Sequence, residues 1–582
     1  MSDLMASKIF PVLESSDSSA YYNWGRDIAS GDIVGYRAFM KWPLYAYCLG
    51  AWFKVFGTNL ALVFYLQFLL GSLNCILVFF IARKLFNTAV AYVSSLLCLF
   101  YGLFVFYDGL IMYTNLSLAL NLLFLLYLLG ISDRPDGAKL FFCGIFLGIC
   151  VITQGSILLF GVIAVAWIIS RSTKDRPLLV KRMLVFLSGL LIVIAATTLR
   201  NHLSENDFVP VAGNLGFNFY SGNNPQSTGT FFSPENITLN QEDMFRDSRI
   251  IAEAAEGKKL KTSRASAFWM RKSMDYAYHN PLDFSRKFIK KIFLLFSPKE
   301  YVHDIEYNLI SLRSVALKIM FKDMKYIMPF VLIGLFIGIK ELKKNALLYL
   351  YIVTFVFSIA VFFVTARYRL MLVPVFMIFA AVAIDRFICY FRSRQWRSLK
   401  ILCVIWIGVF IVLNYTNLFA LPIKTGANTA AFEYHMANAL MHEKNSDYSP
   451  ALLELELANR LEPYNRRAIS RQGLIYFKLG KLDMAVKCYQ MAIKASPLSV
   501  DAYFNLGLIY NQQARFAEAK EMLFKAISLD PYDFKAHFEL GRAFAAANDK
   551  KMAKDEFDLA LKYINRWRKL DIEIINRESA AL

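Results

Sequence analysis

The run LQFLLGSLNCILVFFIARKLF, Leu66–Phe86, decides how the larger part of this chain is read. It is apolar almost throughout and breaks off at Arg83 and Lys84. A helix that crosses a bilayer needs about 20 apolar residues, and its cytoplasmic end collects Lys and Arg. The run therefore predicts a spanning helix that ends at the cytoplasmic face.

Clear runs of the same kind lie near 60–82, 88–106, 110–130, 183–200, 345–365, 370–390 and 399–420, with shorter ones near 139–154, 156–170 and 326–340. If these segments alternate, the basic stretches ARKLF, SDRPDGAK, RSTKDRPLLVKR, KELKKN and RSRQWRSLK all fall on one side, the cytoplasm. The expected order is a first outer loop over 1–59, spanning helices over 60–200, a long outer loop over 201–325 and spanning helices over 326–420. Everything after about residue 420 is then outside as well. An outer N-terminus with no helix to carry it there implies either a first spanning helix upstream of the present start, which is the favoured reading, or translocation without one.

Composition agrees. The 582 residues are 57% hydrophobic, 15% aromatic and only 19% charged, which is too apolar for an ordinary soluble chain. The net charge of +20 could suggest nucleic acid, but the basic residues sit in short runs between apolar stretches. That is the pattern of cytoplasmic loops, so a nucleic-acid partner is not expected. Most of the eight cysteines lie in apolar segments, without a CxxC pair or a His/Cys cluster, which points away from zinc and from a disulfide framework. His202, His279 and His303 share the long loop without metal-ligand spacing and read as solvated.

Within 1–59, SSAYYNWGRDIA and PLYAYCLGAWFKVFG read as short amphipathic helices, the second opened by Pro43. Their aromatics, Tyr21, Tyr22, Trp24, Trp42, Tyr45 and Trp52, suit the lipid headgroup layer.

Beyond about residue 432 the chain becomes mixed in charge and repeats every 34 residues. GLIYFKLGKLDMAVKCYQMAIKASP begins at Gly473, GLIYNQQARFAEAKEMLFKAISLDP at Gly507 and GRAFAAANDKKMAKDEFDLALKYIN at Gly541. Ala485, Ala519 and Ala553 coincide at this period, as do Ala492, Ala526 and Ala560, while Pro463, Pro497 and Pro531 close the turns. Small residues at such points let paired helices approach closely. The pattern resembles the tetratricopeptide repeat over 432–567, with a degenerate first copy containing Ala439 and Ala451 and a tail over 568–582. The resemblance implies a curved solenoid that binds a protein or peptide partner.

The phrases DSSAYYNWGRDIASGD, KWPLYAYCLGAWFKVFG, LQFLLGSLNCILVFFIARKLF, YGLFVFYDGLIMYTNLSLAL, GNLGFNFYSGNNPQSTGTF and ARYRLMLVPVFMIFAA, in that order, carry a second likeness over about residues 10–420. Together they resemble the GT-C superfamily of integral-membrane glycosyltransferases, nearest to bacterial relatives of protein O-mannosyltransferases and lipid A aminoarabinose transferases. The expected fold is all-α: a polytopic membrane helical bundle with interfacial helices, followed by a repeat solenoid. The resemblance further implies a sugar donor on a polyprenyl phosphate and an essential acid in the first outer loop. Some relatives use a divalent metal and others do not; no ligand set here points to one, and no other cofactor is indicated.

Transfer from a lipid phosphate to a hydroxyl needs a base near the acceptor oxygen and stabilisation of the departing phosphate. Asp17 is the first-loop acid that the resemblance singles out, flanked by Tyr21 and Tyr22, which would meet sugar or acceptor; its structural alternative is a helix cap. Asp27, ten residues on, reads as a solvated face residue. Asp108, in FYDGL, is a turn residue or a second site carboxylate. Arg367 and Arg369 lie on the outer side against the usual charge bias, so they bind the donor phosphate or snorkel at a helix end. Arg200 is a weaker candidate for the same phosphate. Phe219, Tyr220, Asn223 and Asn224 combine faces that stack on sugars with amides that bond hydroxyls, or simply form a turn. The sequon at Asn236 matters only in a eukaryotic source.

The resemblance, taken with these residues, implies a multi-pass enzyme of a bacterial inner membrane, with its long loop and repeats in the periplasm. It would move a sugar from a polyprenyl phosphate to a protein, lipid or glycan, the repeats recruiting acceptor or partner. Two alternatives stay open: an O-antigen ligase-like enzyme with its essential residues in the long loop, and a repeat scaffold with an inactive membrane half.

Overall fold

The computed structural model describes residues 17–35, 37–131, 136–232, 234, 237, 241–298, 314–321, 323–415, 427–463, 465–564 and 568–582. His303 and the sequon at Asn236 lie outside the described residues, as does the end of the run expected over 399–420. Regular structure among the described residues is helical, with isolated bridges pairing Tyr101 with Phe321 and Thr230 with Val364. The chain divides into two compact units: Met1–Gly25, Arg37–Phe232 and Lys261–Leu421 form one, and Arg26–Tyr36, Ser233–Leu260 and Pro422–Leu582 form the other.

In the first unit, seven stretches among the described residues are long and apolar enough to cross a membrane, which makes this a multi-pass membrane protein. They are Leu60–Leu85, Thr114–Ile131, Gly155–Ser172, Arg176–Glu205, Met328–Ala360, Val373–Arg392 and Trp396–Asn414. One departure from the sequence reading has a clear cause. The run expected over 88–106 is broken, because Thr88–Leu99 stops, Tyr101 is extended and Gly102 N–H donates to Phe321 O at 2.9 Å before Gly102–Asp108 begins. Met328–Ala360 is not one straight rod. Tyr349 Oη donates to Leu335 O at 2.5 Å although 14 residues separate them, a distance of about 21 Å along a continuous helix. The chain therefore reverses near the Ile339–Glu341 turn, leaving Met328–Gly338 and Leu342–Ala360 as two arms.

Lipid supplies no hydrophobic drive between helices, so close packing and hydrogen bonds must hold them. Gly137–Thr153 and Arg176–Glu205 touch backbone to backbone: a Cβ on Gly144 would lie 2.0 Å from Phe186 O, and one on Gly189 would lie 2.2 Å from Phe141 O. Amides tie Leu60–Leu85 to Thr114–Ile131, where Asn74 Nδ2 donates to Asn115 Oδ1 at 2.7 Å and Asn115 Nδ2 to Gln67 O at 2.6 Å.

In the second unit, antiparallel helix pairs follow the 34-residue period from Ala427–Lys444 to Lys550–Tyr563. The alanines named above are fully buried, including Ala439 and Ala451 of the first copy. Gly507 and Gly541 are needed for close approach, since a Cβ there would meet Leu523 and Phe557 at 2.6 Å. The first copy keeps a feature that the composition hid. His435 pairs with Glu454 as His537 pairs with Glu556, each at 2.6 Å, and the two histidines lie three periods of 34 apart. Residues 568–582, read as a tail, hold the helix Lys569–Ala580, whose Ile575 is buried in the same core as Phe557 and Ala560.

Candidate active site

Three segments remote in sequence meet at Asp17. It stands in the first turn of Asp17–Ala29, where a carboxylate suits the positive end of the helix. Lys41 comes from the bend just before Leu44–Phe56, with Nζ 2.6 Å from Asp17 Oδ1. Arg367 comes from the single turn Ala366–Arg369 and donates from Nη1 to Asp17 Oδ2. That turn is opened by Thr365, whose Oγ1 accepts from Tyr368 N–H at 3.4 Å.

Asp17 is 4% exposed. Burial by itself would raise its pKa, but the charges and hydrogen bonds of Lys41 and Arg367 outweigh that and hold the carboxyl well below the usual carboxylate range. Its two oxygens face cations, which gives it partners beyond the helix end. Lys41 was absent from the candidates read in sequence, since a lysine before Trp-Pro carries no signal until the fold closes the ion pair.

Aromatic rings enclose this triad. Tyr21 packs against Trp24, Tyr45 and Tyr113, and its Oη donates to Trp42 O at 3.2 Å. Lys41 Nζ lies 5.8 Å from the Tyr21 ring centre, and the Arg367 guanidinium lies 5.8 Å from Tyr113 and 5.4 Å from Tyr368. Burial, followed by Tyr113 and Asp17, pushes the Tyr21 hydroxyl up, so it stays a neutral donor. Tyr21 and Tyr45 are therefore core residues, where the sequence reading set them in the lipid headgroup layer. Tyr22 turns the other way and meets Phe53 edge to face. Asp27, read as solvated, is half-buried.

Asp108 is reached through Tyr45 and Gln67: Tyr45 Oη donates to Gln67 Oε1, and Gln67 Nε2 donates to Asp108 O and Leu110 O at 2.7 Å each. It is the buried last residue of Gly102–Asp108, directly before the turn at Gly109. Its carboxylate lies on the backbone of Gly71, where a Cβ would come 2.0 Å from Oδ2.

The structure separates the two arginines that the sequence paired. Positions two apart on a helical turn face different ways, and Arg369 is buried with Nη2 3.0 Å from Met324 Sδ while Arg367 faces Asp17. Arg200 is engaged elsewhere. Its Nη1 donates to Arg37 O at 2.8 Å and its guanidinium stacks 3.7 Å from the Phe39 ring centre, which holds residues 37–39 in place.

The four long-loop candidates form a separate packed cluster. Tyr220 meets Trp269 at 4.8 Å and Phe219 meets Phe362 edge on. The amides of Asn223 and Asn224 finish the Leu215–Gly222 helix: Asn223 Nδ2 donates to Phe219 O and Val361 O, and Asn224 Nδ2 to Tyr220 O. Asn223 Oδ1 accepts from Lys291 Nζ at 2.7 Å, and Lys287 Nζ donates to Asn224 O and Pro225 O at 2.9 Å each. The amides expected to meet sugar hydroxyls thus serve the fold. Lys291, on Pro281–Leu295, is fully buried, and burial, then Lys287, brings its pKa down to about 7. No sequence signal marked it, because it sits on an otherwise ordinary amphipathic helix. Among the described residues, no group of three His, Cys, Asp or Glu side chains is placed to hold a metal ion.

An all-helical membrane unit with a buried acid between two cations, followed by helical repeats, belongs to a class that comparison with known proteins makes specific. Residues 40–199 match the family described as dolichyl-phosphate-mannose-protein mannosyltransferase. Residues 473–514 and 500–533 match tetratricopeptide repeat families. The chain thus joins a membrane glycosyltransferase domain of GT-C type to tetratricopeptide repeats, which are modules of protein–protein interaction. No curated protein matches. Solved structures similar to part of the chain include a crystal structure of MamA protein, at 16% identity over 26% of this chain and 80% of that one, with a TM-score of 0.24. Another is MamA from residue 41 to its end from Desulfovibrio magneticus RS-1, at 23% identity over 29% of this chain and 94% of that one, with a TM-score of 0.22.

Proposed function

We propose that this protein transfers a sugar from a polyprenyl-phosphate donor to an acceptor at the outer face of a bacterial inner membrane, with Asp17 at the reacting centre. The observation that carries this reading is the buried Asp17 carboxylate held between Lys41 and Arg367. A carboxylate so strongly stabilised is a poor base, because basicity falls with pKa. The same two cations are also the natural ligands of a phosphate, which Arg binds in a planar fork and Lys as a point charge. Arrival of the donor phosphate sets two anions in competition for Lys41 and Arg367. As the phosphate takes them, Asp17 keeps its burial and loses its counter-charge, which raises its pKa toward that of a working base. Asp17 then accepts the proton of the acceptor hydroxyl as that oxygen bonds to the anomeric carbon. The bond from that carbon to the phosphate breaks, and the departing polyprenyl phosphate stays with Lys41 and Arg367. Attack opposite the leaving group inverts the anomeric centre.

The test compares envelope glycans and glycoproteins by mass spectrometry in cells with wild type, Asp17→Asn, Arg367→Met or no copy, at matched protein levels. A sugar-sized mass increment that disappears in all three altered backgrounds supports transfer, and the missing mass names the sugar. Normal glycans in both point variants, with a defect only in the deletion, would return the protein to the scaffold reading.

A further inference from the structure

The long loop was read as one outer segment, yet its part Ser233–Leu260 belongs to the compact unit of the repeats. That part carries the helix Gln241–Glu256, with Met244, Phe245, Asp247, Ser248, Ile250 and Ala252 all buried. Ile250 shares an apolar cluster with Val500, Ala526 and Ala536. Around this contact the charges interlock. Arg246 Nη2 lies 3.1 Å from Asp501 Oδ2, Asp247 Oδ2 lies 3.0 Å from Arg466 Nη2, and Arg249 reaches Asp530 at 4.0 Å with its guanidinium 5.7 Å from the Tyr532 ring centre. Beyond the helix, Lys259 Nζ donates to Ser528 O at 2.6 Å.

The repeat residues in these contacts recur with the repeat. Arg466, Val500 with Asp501, and Ala536 stand in the first turns of the leading helices of three successive repeats, Arg466–Lys478, Val500–Gln512 and Phe534–Ala546. Ser528, Asp530 and Tyr532 lie at and just before the turn that precedes the last of them. One edge of the array thus offers an apolar seat flanked by a cation and two anions. The 16-residue helix, about 24 Å long, crosses several repeats. Its order Arg246-Asp247-Ser248-Arg249-Ile250 sets opposite charges against that edge. Asp247 is 2% exposed, so its charge is tolerated there because Arg466 meets it.

We infer that this edge of the repeats is a docking groove for an amphipathic helix with that charge order, and that its resident ligand is the chain's own Gln241–Glu256. The repeats therefore clasp the long loop in cis. A helix from another protein gains this edge only by displacing the resident one.

Hydrogen exchange followed by mass spectrometry on the full chain in nanodiscs tests the clasp. Amides of 241–256 are expected to exchange at least ten-fold faster in Arg246→Asp and in Asp501→Arg, and to regain protection in the double variant, where the pair is restored with its charges reversed. Exchange of Phe534–Ala546 in the same digests reports whether the array itself stays folded. Unchanged exchange in both single variants, or a double variant no better protected than either while the array stays folded, overturns the inference. A second measurement uses a fluorescent peptide of residues 240–258. It is expected to bind Ile250→Asp, whose own helix is undocked, at least ten-fold more tightly than wild type. Equal affinity for the two overturns the proposal.

Discussion

Lys41 Nζ stands 2.6 Å from Asp17 Oδ1, and Arg367 closes on the other oxygen from 350 residues away. The three groups act as one electrostatic unit, so their deletions should not multiply. Asp17→Asn is expected to lower sugar transfer about 10²–10⁴-fold, as loss of a general base does. Lys41→Met and Arg367→Met are each expected to lower it about 10²–10³-fold, as loss of a charge-stabilising donor does. The double variant Asp17→Asn with Lys41→Met should fall far short of the product of the singles. Rates of sugar incorporation in washed membranes at equal enzyme level measure all four. Fully multiplicative losses would sink the single-unit reading.

Arg369 gives a control beside Arg367. Because it is buried against Met324 and turned away from Asp17, Arg369→Met should reduce folded yield in detergent extracts. Arg367→Met should cost less yield, because Lys41 still pairs with Asp17, and should lower transfer about 10²–10³-fold. Size-exclusion profiles read beside transfer rates separate the two. Matching behaviour of the arginines would contradict their separation.

Gly71 is occupied ground: the Asp108 carboxylate lies where a Cβ would project. Gly71→Ala is expected to destabilise the membrane unit by about 1–3 kcal/mol, the usual cost of overpacking. Gly130→Ala, at a position with open space around it, should be silent. Thermal unfolding in one detergent compares the two directly.

Lys291 predicts a slope of stability with pH. Its folded pKa of about 7 lies below the ordinary 10.5. Between those values the unfolded chain binds a proton that the folded one does not, so stability rises with pH across this window. Wild-type melting temperature should therefore climb from pH 7 toward pH 9.5 by more than that of Lys291→Met. Parallel curves for the two would show that the lysine is charged where it sits.

His537 predicts the opposite slope in the repeats. Burial lowers its pKa, but Glu556 and Pro531 O more than reverse this, so the folded value is raised above 6.5. Its stabilisation is fully present below pH 6.5 and is lost as pH rises through the folded value. Protection of Phe534–Ala546 against hydrogen exchange, corrected for intrinsic rate, should fall from pH 6 to pH 8 in wild type. In His537→Gln that pH dependence should flatten. An unchanged slope in the variant would assign it to another group.

Two features could be read from the chain alone because local periodicity carries them. Apolar runs ending in Arg and Lys announce membrane helices, and the 34-residue recurrence of alanine, glycine and proline announces the solenoid, since each copy meets only its neighbours. Asp17 could be singled out by its aromatic setting and a family resemblance, but its partners could not. Lys41 and Arg367 reach it across 24 and 350 residues, and no local pattern encodes such a meeting. The same limit explains the misplaced residues. Arg200 on Phe39, Arg369 beside Met324 and the Asn223 amide holding Lys291 have the right chemistry for a ligand, but tertiary packing uses it within the fold. The clasp of Gln241–Glu256 is the extreme case, because its charges make sense only once two repeats have stacked to present theirs. Sequence thus determined which segments form helices and which helices suit lipid. Only the tertiary structure decided which charged groups face one another, because a charge finds its partner through space and not along the chain.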